Sequence, residues 1–200
     1  MLLYGCQCRE DEATHQHRVH ALLERLNANG LAIAIEKCQF SKPFINFLGF
    51  RVDANGILPL EKKVAAITSF PPPTKPKGLL GYLGALNYYR RCLPKVGGES
   101  PAAILQPLYA AATAKTPGKS FTKIWDENNL IEPFNKSKKM LTLACQLTHP
   151  DPTASIALVT DASAVGALEQ FSGGCWRPLG LWSRHFKPNQ RAWTTFRREL

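Results

Sequence analysis

No stretch of this 200-residue chain approaches the roughly 18 consecutive apolar residues that span a bilayer, which excludes a simple membrane helix. The opening MLLYGCQCRE lacks the basic region and long apolar segment of a secretory signal, so an intracellular setting, cytoplasmic or nuclear, is expected. The six cysteines (Cys6, Cys8, Cys38, Cys92, Cys145, Cys175) are scattered without CxxC spacing. That distribution indicates neither a zinc site nor a disulfide framework, and free thiols suit a reducing compartment. His15, His17 and His20 lie near Cys6 and Cys8, but three histidines at the start of a polar helix read as solvated rather than as ligands. Acid is also scarce: 15 Asp and Glu stand against 25 Lys and Arg, a formal charge of +10, most of it before residue 151. Such an excess suits a polyanionic partner. The basic residues are dispersed, with no continuous basic face opposite a Trp and Leu face, so nucleic acid fits better than a membrane surface.

The 44% hydrophobic content is that of a folded chain, and its periodicity divides it into elements. Val19, Leu22, Leu23 and Leu26 recur at helical steps over 14–29, and Gly30 follows where a left-handed terminating residue is wanted. LAIAI at 31–35 and CQF at 38–40 read as short strands. Residues 45–58 read as a β-hairpin turning at Asn55-Gly56, with Gly49 admitting a close neighbour. A helix over 60–69, an extended PPPT joint at 71–74 and a second helix over 77–93 come next. The last carries Leu79, Leu80, Leu83, Leu86 and Tyr89 on one stripe and Gly81, Gly84, Asn87, Tyr88, Arg90 and Arg91 opposite. Each internal glycine costs about 1 kcal/mol relative to alanine, so the bare surface should serve close packing or a nucleic-acid groove. A helix over 126–144 is expected to bury Ile131, Phe134, Met140 and Leu141, with Trp125 as a packing anchor. SIALVTDAS ends an apolar, strand-like run on Asp161. A carboxylate there needs a metal, a cationic side chain or hydrogen bonds, although Thr-Asp-Ser also makes an ordinary turn.

LNANGLAIAIEKCQF, FLGFRVDANGILP and KVAAITSFPPPTKPKGLLGYLGALNYYRRCLP, in that order, resemble the reverse transcriptase of gypsy-class LTR retrotransposons beyond its catalytic aspartates. IWDENNLIEPFNKSKKMLTLA, THPDP, LVTDAS, GALEQ and WRPLGLWSRHFKPNQRAWTTFRREL resemble the connection and the opening of the RNase H domain of the same Pol polyproteins. The resemblance implies an α/β fold in α+β pieces: palm end with a primer-grip-like hairpin at 1–58, thumb helices at 59–112, connection at 113–150, and the first strands of an RNase H-like mixed sheet at 151–200.

By the same resemblance, Gly49 and Phe50 belong to the primer grip, and Gly84 and Tyr88 track the minor groove of a template and primer duplex, with Arg90 and Arg91 flanking. Leu80 stands where the family often has Gln. Asp161 and Glu199 fall on two of the acids that hold magnesium for phosphodiester hydrolysis, in a site that needs about four carboxylates. The implied partners are an RNA/DNA hybrid or DNA duplex and other Pol domains, and the implied cofactor is Mg2+, weakly held. The run DASAVGALEQ is shorter than the family's, so the first RNase H hairpin is expected to be shifted or partly disordered, with Glu169 as an alternative acid or a solvated strand residue. The family's paired aspartates would precede Met1 and its further acids would follow Leu200. The expectation is therefore a catalytically incomplete fragment with weak duplex binding. A structural or interaction fragment, or part of an active magnesium RNase H completed by further exons, are the alternatives.

Overall fold

The computed structural model describes residues 11–114, 120–161, 165–184, 186, 190 and 192–194. Helix α1 (Glu12–Ala28) starts where the Asp11 carboxylate accepts the Thr14 amide. It stops in a left-handed Gly30, with the Gly30 and Leu31 amides donating to Asn27 and Leu26 as expected. None of its residues is buried. The strands expected at 31–35 and 38–40 do not form: one 3₁₀ turn, Ile35–Lys37, interrupts an exposed, extended path. Apolar alternation makes a strand only where a neighbour completes the ladder, and this segment pairs with no strand among the described residues.

The expected hairpin is a three-stranded antiparallel meander of β1 (Phe44–Phe47), β2 (Phe50–Asp53) and β3 (Gly56–Pro59). Its left-handed two-residue turn falls at Leu48 (φ 45°) and Gly49 (φ 83°), not at Asn55-Gly56. The second turn is instead held by Asp53, whose Oδ1 accepts the Asn55 and Gly56 amides at 2.9 and 3.2 Å.

Helix α2 (Glu61–Thr68) matches expectation, and α3 (Pro76–Tyr88) begins on a proline suited to a first helical position. The latter ends earlier than 93, giving way to a 3₁₀ turn at Arg90–Cys92, because Pro94 keeps Leu93 out of helical geometry (ψ 116°). Ser100 and Pro101 open α4 (Pro101–Thr113), with Ser100 Oγ accepting the Ala103 amide. The single helix expected over 126–144 is two, α5 (Phe121–Glu127) and α6 (Ile131–Thr142). Between them Asn129 is left-handed (φ 47°), and the Asn129 and Leu130 amides donate to Asp126 and Trp125. Asn substitutes here for the usual terminating glycine.

The core lies among α3–α6, with Leu79, Leu83, Leu86, Leu108, Leu130 and Phe134 fully buried. Trp125 is the expected anchor, its ring 5.5 Å from Phe134 and 6.1 Å from Phe121. Leu80 and Ile131, expected to face inward, are exposed. A polar link in this core is complete: Ser137 donates to the Phe134 carbonyl at 2.6 Å, so the Tyr82 hydroxyl must be the donor to Ser137 Oγ, also at 2.6 Å.

A second antiparallel sheet, order β4-β5-β6, comprises β4 (Ile156–Asp161), β5 (Val165–Ser172) and β6 (Cys175–Ser183). The β4–β5 register is regular from Ile156 opposite Gln170 to Asp161 opposite Val165. An irregularity falls on the other side of β5, at Leu168 and Glu169. Residues 162–164 lie outside the described residues. β4 is an edge strand, not a buried one, with Ile156 66% and Leu158 63% exposed. Among the described residues no helix is long and apolar enough to cross a membrane.

Residues 145–149 tie these parts together. The Cys145 amide donates to the Cys92 carbonyl, Leu147 and Ile57 exchange amides and carbonyls at 2.9 and 2.7 Å, and the Thr148 amide donates to Pro178 at 2.7 Å. His149 Nε2 lies 2.7 Å from the Asp53 carbonyl, while Gln170 Nε2 donates to the His149 carbonyl. Gly56 makes room for this strap, since a Cβ there would stand 2.1 Å from the Leu147 carbonyl oxygen. Gly56→Ala is therefore expected to cost about 3 kcal/mol or more, read as a fall in the urea midpoint.

Candidate nucleic-acid interface

The meander's tip rests on the C-terminal end of α3. Leu48, a residue that takes positive φ only at a cost of about 1–2 kcal/mol, has its carbonyl bound by the Tyr88 hydroxyl. The Gly49 carbonyl accepts the Tyr89 hydroxyl at 3.2 Å and the Leu60 amide at 3.0 Å. The Phe50 ring packs 5.5 Å from Tyr88 and 5.1 Å from Tyr89, centroid to centroid. Gly49 is required twice, by its φ of 83° and by Tyr89, whose Oη would lie 2.8 Å from an added Cβ. Burial pushes the Tyr89 phenol above its ordinary pKa, helped by the neighbouring Tyr88 and Cys92.

From this junction the open face of α3 runs through Gly84 and Gly81 to Leu80 and Lys77, positions spaced by three and four residues. Gly81 and Gly84 are exposed, and a Cβ on either would meet nothing within 4 Å. Close packing among the described residues therefore does not explain them. Tyr88 is 52% exposed despite its hydrogen bond, leaving much of its ring available. Gly49, Phe50, Gly84 and Tyr88 thus fall on one continuous surface.

Arg90 and Arg91 do not share that face. The helix has ended before them, and with Asn87 they line a separate groove against β6. Sequence spacing treated them as a continuation of α3; the 3₁₀ turn redirects them.

Asp161 is exposed at the end of β4, where Lys95 donates to its Oδ2 at 2.7 Å. A cationic side chain is one of the compensations open to this carboxylate, and Lys95 supplies it. Sequence reasoning missed Lys95 because it is 66 residues away in the chain. Glu199 lies outside the described residues. Glu169 pairs with Ala157, four strand positions from Asp161, or roughly 13 Å, and is not an alternative acid at that point. Among the described residues no three His, Cys, Asp or Glu side chains form a group that could hold a metal ion. Among the described residues Asp161 is a carboxylate beside an ammonium, which by itself does not make up a magnesium pair, and Cys6 and Cys8, considered with His15, His17 and His20, lie outside the described residues.

Residues 125–200 match the RNase H-like domain found in reverse transcriptase. The chain is 32% identical over 199 residues to the retrovirus-related Pol polyprotein from transposon opus of Drosophila melanogaster, covering 96% of this chain and 19% of that protein. The likeness is to retrotransposon Pol polyproteins with an RNase H-like domain. The Pol polyprotein from transposon 297, from the same fly, is 33% identical over 190 residues, 93% of this chain and 16% of that protein. The chain thus spans less than a fifth of the length of these Pol relatives. The fold is also that of part of a foamy viral protease-reverse transcriptase solved in complex with RNA/DNA hybrid. The TM-score is 0.73 at 19% identity, over 95% of this chain and 25% of that one.

The tip contact is testable. Gly49→Ala is expected to lower stability by about 1–2 kcal/mol in urea denaturation. Combined with Tyr89→Phe, which removes the atom the new methyl meets, the loss should fall short of the sum of the two single losses.

Proposed function

We propose that the chain is the reverse transcriptase to RNase H portion of a gypsy-class Pol protein, with the palm, thumb, connection and RNase H-like boundaries given by the resemblance. Its activity in this reading is sequence-independent binding of an RNA/DNA hybrid or DNA duplex in an intracellular setting. The observation that carries it is the unbroken surface from Phe50 and Gly49 through Tyr88 to Gly84 and Gly81. A wide, shallow minor groove presents sugar edges, and a helix stripped of side chains allows those edges to approach the backbone while an aromatic packs on them. The formal charge of +10 supplies the non-specific attraction to phosphate. The nucleic-acid complex of the foamy viral protein supports the same partner class.

In this reading the chain by itself does not turn over phosphodiesters. By the resemblance Asp161 and Glu199 would be two of the acids of a magnesium site, and the described residues alone do not make up such a site. Here the Asp161 carboxylate is already engaged by Lys95. Other Pol domains would complete such a site.

Retention on an RNA/DNA hybrid should fall steeply between about 50 and about 200 mM salt as phosphate contacts release counterions. No retention at the lower salt would overturn the duplex reading. Gly84→Ala should raise thermal stability, since alanine is favoured by about 1 kcal/mol in an unobstructed helix, yet weaken hybrid binding. Tighter or unchanged binding would remove α3 from the interface. With excess Mg2+ no hybrid cleavage is expected. Cleavage abolished by Asp161→Asn would establish an active nuclease instead.

A further inference from the structure

We propose that the groove lined by Arg90 and Arg91 binds single-stranded nucleic acid, at a site separate from the duplex face of α3. The groove is open, with a volume of ≈ 630 Å³, and lies between the α3 end and α4 on one side and β5–β6 on the other. No Asp or Glu lines it, and neither Arg90 nor Arg91 forms an ion pair among the described residues. Two guanidiniums therefore set its charge. Arg91 lies against the bare Gly180 backbone, its Nε 3.5 Å from where a Cβ would be.

Two partly exposed rings contribute to the lining, Trp182 (43%) and Tyr109 (38%). Trp182 is held in place because its indole lies over the Cα of its cross-strand partner Gly166, where a Cβ would come within 2.3 Å of Cε2. A ring fixed on one side by backbone and open to a groove is a stacking platform that costs little ordering on binding. The α4 N-terminus does not supply the attraction: Pro101 has no amide hydrogen, Ser183 Oγ accepts the Ala102 amide at 2.9 Å, and Ser100 Oγ accepts that of Ala103.

Guanidiniums meet phosphates and aromatic faces meet unpaired bases, and only a single strand offers both together, since a duplex hides its base faces in the stack. An acidic peptide would satisfy the arginines and leave the rings without flat partners. The proposal does not depend on the duplex reading, because the α3 face and this groove are lined by different residues.

The test is fluorescence anisotropy of the full chain with a labelled oligothymidylate and, separately, with an RNA/DNA hybrid. Arg90→Gln combined with Arg91→Gln should weaken oligothymidylate binding about tenfold and lower its salt slope by about 1.4, while hybrid affinity changes less than twofold. Trp182→Ala should also weaken the oligothymidylate about tenfold, and Trp182→Phe should restore most of it. The phenylalanine variant keeps a ring over Gly166, which separates loss of stacking from loss of the sheet. Gly84→Ala should leave oligothymidylate binding unchanged. Unchanged oligothymidylate affinity in the arginine variant, equal losses for both nucleic acids, or equally effective competition by polyglutamate at matched charge would each overturn the proposal.

Discussion

Residues 145–149 are the constraint on which the rest of the arrangement depends. A five-residue strap holds the meander through Ile57 and Asp53, the 3₁₀ turn through Cys92 and the second sheet through Pro178 and Gln170. Each of those groups is a polar donor or acceptor at a junction, where leaving one buried and unpaired costs about 1–3 kcal/mol. The strap's approach is possible only because Gly56 lacks a Cβ. One glycine thus allows a single strap to reach all three parts. Burial reinforces the junction: the Cys92 thiol, pushed up to about 11 by desolvation, behaves as a small apolar group there.

The second junction joins geometry to the candidate function. Tyr88 and Tyr89 bind the carbonyls of a turn that Leu48 would not adopt unaided, and they do so from the end of the helix carrying the open glycine face. Tip and helix face form one surface because adjacent phenols fasten both. The same helix end, by giving way to a 3₁₀ turn, aims Arg90 and Arg91 elsewhere. A single change of helical geometry therefore separates the glycine face of α3 from a groove lined by arginines and aromatic rings.

Local signals were legible wherever the physics is local. Gly30 after α1, the effect of Pro94 and the anchoring role of Trp125 all follow from preferences that act over a few residues. The failures have equally definite causes. LAIAI has strand composition but no neighbouring strand among the described residues, Asn129 supplied a helix stop usually read from glycine, and Asp53 captured the turn that Asn55-Gly56 advertised.

Sequence by itself determined the stop at Gly30, the inward Leu79, Leu83 and Leu86 of α3, the absence of a zinc-type cysteine pattern and the family resemblance, because these depend on residue order and short-range geometry. Only the tertiary structure decided that Gly81 and Gly84 are open and that β4 lies at an edge. It also decided that Asp161 meets Lys95 and that Arg90 and Arg91 share a groove with Trp182. The physical reason is separation along the chain: the partners that set exposure, charge compensation and groove shape lie tens of residues away, and only folding brings them within a few ångströms.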